Sequence, residues 1–80
     1  MIKINIKYFA SLKDKSKQSS EEYQTAAVTA GELYEELQSK YKFNLHRDLV
    51  KVAINEEFGS MQQPLKANDV VVFIPPVAGG

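Results

Sequence analysis

The segment Asp69–Pro75, reading DVVVFIP, has apolar residues on both faces of any strand it forms. Such a strand is usually central in its sheet, with neighbours on either edge. Pro75-Pro76 ends it, because proline has no N–H to donate to a ladder. The rest of the chain must therefore supply flanking strands. Ile2, Ile4 and Ile6 alternate with Lys3, Asn5 and Lys7, a period-2 strand with one apolar face. Tyr8 continues the inward register, and Phe9 falls on the outward, lysine-bearing face. Val50, Val52 and Ile54 alternate in the same way and predict a further strand. Asn55-Glu56-Glu57 can turn, and Phe58 starts a short edge segment. Residues 10–20 read as a polar loop. Glu22–Ala27 reads as a weak second strand closing a hairpin with the first.

One helix is expected at about residues 29–41. Thr29-Ala30-Gly31-Glu32 fits a capping box, with Val28 and Leu33 placed for a hydrophobic staple. Glu32, Glu35 and Glu36 lie near the helix start and Lys40 near its end, as the helix dipole favours. Leu33, Leu37 and Tyr41, with Tyr34 beside them, form one apolar stripe. One helix on one face of a mixed four- to five-stranded sheet gives a two-layer α+β domain. If the first and last strands are central neighbours they run parallel, which is the ubiquitin-like β-grasp arrangement. The 80 residues are expected to form a single domain, 1–80, with 76–80 a flexible C-terminal Gly-Gly tail.

Composition removes many functions. Hydrophobic residues at 44% and charged residues at 25% fit a globular chain and disfavour disorder. Ten Lys+Arg balance ten Asp+Glu, which argues against nucleic-acid binding. The charges are nevertheless segregated: lysines dominate 1–17, glutamates 18–39 and basic residues 40–51. These runs read as solvated faces, or as a surface complementary to a charged partner. The absence of cysteine excludes a disulfide scaffold, a Cys-ligated zinc and a thiol nucleophile. The single histidine, His46, sits in a polar stretch and makes a catalytic triad improbable. Glu35 and Glu36 point about 100° apart on a helix, so they read as helix surface. No metal-ligand cluster or phosphate loop occurs. Lys3 and Lys7 interrupt the N-terminal apolar stretch, so no signal peptide is expected. The longest uncharged run with strong hydrophobes, Val70–Gly80, is too short for a membrane span of ~20 residues. The expectation is a cytoplasmic protein without membrane or nucleic-acid partners.

What remains is the end of the chain. After Pro75-Pro76 come Val77, Ala78, Gly79 and Gly80. Glycine lacks a Cβ, so a Gly-Gly end can thread a channel too narrow for other residues. Residues 76–80 can reach ~17 Å at ~3.3–3.6 Å per residue. The reactive group would then be the α-carboxyl itself, activated as an acyl-adenylate and convertible to a thiocarboxylate.

The ending FIPPVAGG (Phe73–Gly80), the segment VAINEE (Val52–Glu57), Pro64-Leu65 with Asp69, and the opening IKINIKYFA (Ile2–Ala10) resemble the small subunit of molybdopterin synthase, the MoaD family. The resemblance covers both ends and the third strand well and is nonspecific over 11–25 and 38–49; its specific motif is the Pro-Pro-Val-x-Gly-Gly ending. It implies a sulfur carrier of ubiquitin-like fold. A partner activating enzyme would adenylate Gly80 with ATP and magnesium, so that no cofactor or metal is bound by this chain. Sulfur installed as a thiocarboxylate would be donated to cyclic pyranopterin monophosphate in molybdenum cofactor biosynthesis. The carrier would dock on the large subunit in a heterotetramer, and the catalytic side chains would belong to that subunit. The resemblance carries an apolar docking surface onto Phe9, Phe58 and Ile74, and a threading tail onto Pro75, Pro76, Val77, Ala78 and Gly79. Periodicity alone leaves open whether Val71/Phe73 or Val70/Val72/Ile74 faces the helix; the resemblance favours Ile74 outward. A Gly-Gly end would also suit a sulfur carrier for thiamine or tRNA thiolation, a ubiquitin-like protein modifier, or an interaction module with an incidental tail.

Overall fold

The computed structural model describes residues 1–76. Its elements are β1 (Ile2–Tyr8), α1 (Ala10–Ser16), β2 (Ser20–Thr25), α2 (Ala30–Tyr41), a 3₁₀ turn (Arg47–Leu49), β3 (Lys51–Ile54), β4 (Glu57–Gly59) and β5 (Val70–Ile74). The strands form one sheet in the order β2-β1-β5-β3-β4. β5 is central, as its two apolar faces require. It runs parallel to β1 and antiparallel to β3, and β1 pairs antiparallel with β2. This is the mixed sheet of a ubiquitin-like β-grasp, with α2 packed on one face.

The core lies between that face and α2. Ile4, Ile6, Tyr8, Val52, Ile54, Val71 and Phe73 from the sheet meet Leu33, Tyr34 and Leu37 from the helix. Tyr34 and Phe73 meet edge to face, with ring centroids 5.3 Å apart. α2 begins largely as its sequence dictates. The Glu32 N–H donates to the Thr29 hydroxyl oxygen at 3.2 Å. The reciprocal bond differs from the expected box: Glu32 Oε1 accepts from the Val28 N–H at 3.2 Å. The expected staple also gains little, because Val28 is 62% exposed while Leu33 is fully buried.

Two local expectations are corrected. Residues 10–20 are not all loop, since Ala10–Ser16 is helical. Its one strong apolar anchor is Leu12, 1% exposed. A single anchor leaves no periodic signature, and a seven-residue helix depends on tertiary packing for its existence. The left-handed Lys17 closes it, its N–H donating to the Lys13 carbonyl at 2.8 Å. The second strand is Ser20–Thr25 rather than 22–27. In this register Glu21, Tyr23 and Thr25 pair with Ile6, Ile4 and Ile2, on the helix-facing side.

Glu21 is therefore an internal acceptor rather than part of an acidic surface. It receives the Tyr8 hydroxyl at 2.5 Å and the Tyr41 hydroxyl at 2.7 Å. Gln18 Nε2 donates to the same Tyr41 oxygen at 2.9 Å. Burial first, and then the bond to Glu21, pushes the Tyr8 phenol far above its ordinary value. The same two causes push Tyr41 up to about 12. Burial also raises Tyr23 and Tyr34. All four tyrosines of the chain thus hold their protons longer when folded than the ~10 of an unfolded phenol. The sign follows by linkage: this stabilisation is complete below pH ~10 and is lost as pH rises through the folded values. Phenolate absorbance in an alkaline titration should stay low past pH ~10 and rise together with loss of the helical circular dichroism. Full ionisation near pH 10 with the helix signal intact would contradict the network.

β3 and β4 are joined by Asn55-Glu56, both at positive φ (53° and 73°), the signature of a type I′ hairpin turn. Asn55 suits its place. Its Nδ2 donates to Asp69 Oδ1 and its Oδ1 accepts from the Val70 N–H, both at 2.9 Å. Asp69 Oδ2 accepts from the Lys66 N–H at 2.8 Å, so the clasp fixes the entry of β5. Glu56 makes no such use of its conformation. Glu56→Gly should stabilise the fold by about 1 kcal/mol, read as a rise in denaturant midpoint at constant slope.

Candidate functional site

The site is built on the exit of β5 and the sheet face that α2 leaves open. Register decides which side chains reach that face. Val71 and Phe73 are fully buried against α2, whereas Val70, Val72 and Ile74 are half-buried on the opposite side. Ile74 is therefore outward, the orientation the resemblance favours. Ile74 pairs with Lys51, and Val72 pairs with Lys7 on one side and Ala53 on the other. Ala53 in turn pairs with Phe58 of β4. Directly paired residues share a face, so Lys7, Val72, Ala53 and Phe58 form one row across the sheet, with Lys51 and Ile74 beside it.

Phe58 is 75% exposed and Phe9 is 50% exposed. Phe9 directly follows Tyr8, which pairs with Phe73, and its extended backbone puts it on the opposite side of the sheet from Tyr8, the side that Ile74 takes relative to Phe73. The three expected partner-binding side chains thus share one face: Phe9 and Ile74 at the strand exit, Phe58 across the sheet. Pro75 is buried and Pro76 exposed, both beyond the end of the β5 ladder at Ile74. Val77, Ala78, Gly79 and Gly80 lie outside the described residues. The sequence reading puts Lys7 on the outward face with Phe9 and Val72 on the same side as Ile74; it missed Ala53 and Lys51, whose places follow from the pairing of β3 with β5.

The face is apolar at its centre and basic at its flanks. Elsewhere several charges are already committed. Arg47 Nη1 meets Glu35 Oε2 at 2.5 Å, and Lys3 Nζ lies 3.7 Å from Glu22. Lys40 Nζ sits 5.0 Å from the Tyr23 ring centroid and 5.2 Å from that of Tyr41. Among the described residues no three His, Cys, Asp or Glu side chains converge as a metal site. His46 is exposed, and its Nδ1 accepts from the Asp48 N–H at 3.1 Å, capping the 3₁₀ turn. No helix of the described residues is long and apolar enough to cross a membrane. The arrangement offers an apolar surface beside Pro76, the last described residue.

Comparison with known proteins bears on what this arrangement serves. Residues 6–80 match the model of the ThiS family. The chain belongs to the ThiS family. It is 34% identical, over 84 aligned positions and the full length of both chains, to the molybdopterin synthase sulfur carrier subunit of Mycobacterium tuberculosis. The structure of a putative molybdopterin converting factor, subunit 1, from Pyrococcus furiosus superposes with a TM-score of 0.76 at 29% identity, covering 96% of this chain and 100% of that one. A Helicobacter pylori complex of subunits 1 and 2 of molybdopterin-converting factor contains a chain matching at TM-score 0.66 and 25% identity, with 99% and 100% coverage. The resemblance read from the two ends thus extends over the whole chain.

Proposed function

We propose that this member of the ThiS family is the sulfur carrier subunit of a molybdopterin synthase. The full-length identity to the mycobacterial carrier subunit is the observation that carries this reading. The working group is the α-carboxyl of Gly80. An activating enzyme brings it to the α-phosphorus of ATP, with magnesium, and pyrophosphate leaves. A sulfide-level donor displaces AMP and leaves a thiocarboxylate. That sulfur attacks a side-chain carbon of cyclic pyranopterin monophosphate held by the large subunit and an oxygen substituent of that carbon leaves; water then cleaves the resulting thioester, restoring the carboxylate and leaving the sulfur on the pterin. Two such transfers complete the dithiolene, which suits a heterotetramer of two carriers and two large subunits.

The described body supplies docking and no acid–base chemistry. Its open face, with Phe9, Phe58 and Ile74, receives the large subunit, and Pro75-Pro76 directs the tail inward. The Helicobacter complex of subunits 1 and 2 supports a partner of this kind. The test is which acceptor is sulfurated. Thiocarboxylated carrier mixed with a molybdopterin synthase large subunit and the cyclic pterin should yield molybdopterin. Sulfuration of a thiazole precursor or of tRNA in place of the pterin would assign the carrier to another pathway. Conjugates to lysine side chains in its place would make it a modifier.

A further inference from the structure

We propose that Lys7 and Lys51 steer the open sheet face onto a protein surface whose own apolar patch is flanked by carboxylates. The inference rests on the docking reading above and adds the chemistry of the surface that meets it. The charged side chains of this face are Lys3 and Lys7 from β1, Glu22 from β2 and Lys51 from β3. Lys3 Nζ and Glu22 Oε2 lie 3.7 Å apart and offset each other. Lys7 and Lys51 are left over. Among the described residues no carboxylate lies within ion-pair distance of either. Glu57 pairs with Ile54 and so turns to the α2 side. Asp48 lines the same depression as Lys51, but its carboxylate lies 3.4 Å from His46 Nδ1. The glutamates of α2, Glu32, Glu35 and Glu36, belong to the layer behind the sheet. A chain of zero net charge thus presents a positive front.

The two lysines have a fixed relation to the apolar row. Lys7 pairs with Val72 from one side of β5, and Lys51 pairs with Ile74 from the other. Both are exposed, and they bracket the last residues of the strand. Their methylene stems can lie along Val72 and Ile74 while the ammonium groups stay in water. A partner that covered the row with an uncharged rim would strip water from two cations and return nothing. One with a basic rim would be repelled. Carboxylates placed opposite satisfy both cations, fix the orientation of the carrier and speed the encounter. Charges at a rim act mainly on the association rate and on its salt dependence. The apolar row and the two lysines therefore have separable effects.

The test measures association and dissociation rates of the full chain with the large subunit of molybdopterin synthase. Ionic strength is varied from about 0.02 M to about 0.5 M, which shortens the screening length from roughly 20 Å to roughly 4 Å. The natural chain should associate about tenfold faster at the low end than at the high end. Lys7→Glu and Lys51→Glu should each slow association about three- to tenfold at low salt and less than about twofold at high salt. Dissociation and thermal melting should change little. Lys42→Glu makes the same change in net charge at the end of α2, and should leave the rate within about twofold. Equal slowing by Lys42→Glu, or association of the natural chain that salt does not slow, overturns the inference. So does a Phe58→Ala chain that binds weakly while both lysine variants associate normally, and in that case the docking reading stands. If Phe58→Ala binds like the natural chain, the docking reading fails and takes the inference with it. Tighter binding of the natural chain to phosphatidylserine vesicles than to the large subunit would assign the face to a membrane instead.

Discussion

A chain that stops at Gly79, or carries one residue beyond Gly80, is expected to fold normally and to lose sulfur transfer by more than about a hundredfold. In the proposed function the reacting atom is a backbone carboxyl, so chain length would set its position. One residue moves it by ~3.3–3.6 Å, several times the misplacement that already costs about a hundredfold in a positioned reaction. Stability should not follow the loss. The buried core cluster runs from Ile4 to Phe73, and the β5 ladder ends at Ile74. Single-turnover sulfuration of the pterin, with thermal melting measured in parallel, checks both halves. Normal transfer by either altered chain would remove the α-carboxyl from the mechanism. Loss of transfer accompanied by unfolding would remove the separation between body and tail.

The second large effect concerns docking. Phe58→Ala should leave the melting temperature nearly unchanged, since a side chain 75% exposed contributes within about 0.5 kcal/mol. The same change should weaken binding to the large subunit by about 2 kcal/mol, roughly thirtyfold, as expected for an aromatic anchor that becomes buried only in the complex. Phe58 sits one strand from Ala53 and two from Val72, so its ring borders the apolar row leading to the β5 exit. Calorimetric titration gives the affinity and urea unfolding the stability. Unaltered affinity would place the docking surface elsewhere, and a large loss of stability would make Phe58 a packing residue.

Strong local signals made much of the fold legible in the sequence. β1 and β3 carried period-2 alternation, α2 carried a cap and an apolar stripe, and the two-faced β5 could only be central. Weak or distant signals hid the rest. α1 has one apolar anchor, Leu12, and its polar remainder looks like loop. Glu21 looked like one of a run of surface glutamates. Its role depends on Tyr8 and Tyr41 arriving from elements 13 and 20 residues away, and that convergence is a property of the packed state. The Asn55–Asp69 clasp spans 14 residues and was equally hidden. At the site, Phe9 could be placed by parity alone. Ile74 needed the β1–β5 register to separate its face from that of Phe73. The Gly-Gly end spoke through resemblance and the chemistry of an unhindered carboxyl, since neither periodicity nor burial bears on it.

The central claim is that the terminal carboxyl of Gly80 carries sulfur. Intact-mass analysis after incubation with the activating enzyme, magnesium–ATP and a sulfur donor, followed by fragmentation, tests it most directly. The account predicts the mass gain of one oxygen replaced by sulfur, located on Gly80 and absent without ATP. An unchanged mass under conditions that thiocarboxylate a known carrier, or a gain located on any other residue, would contradict it.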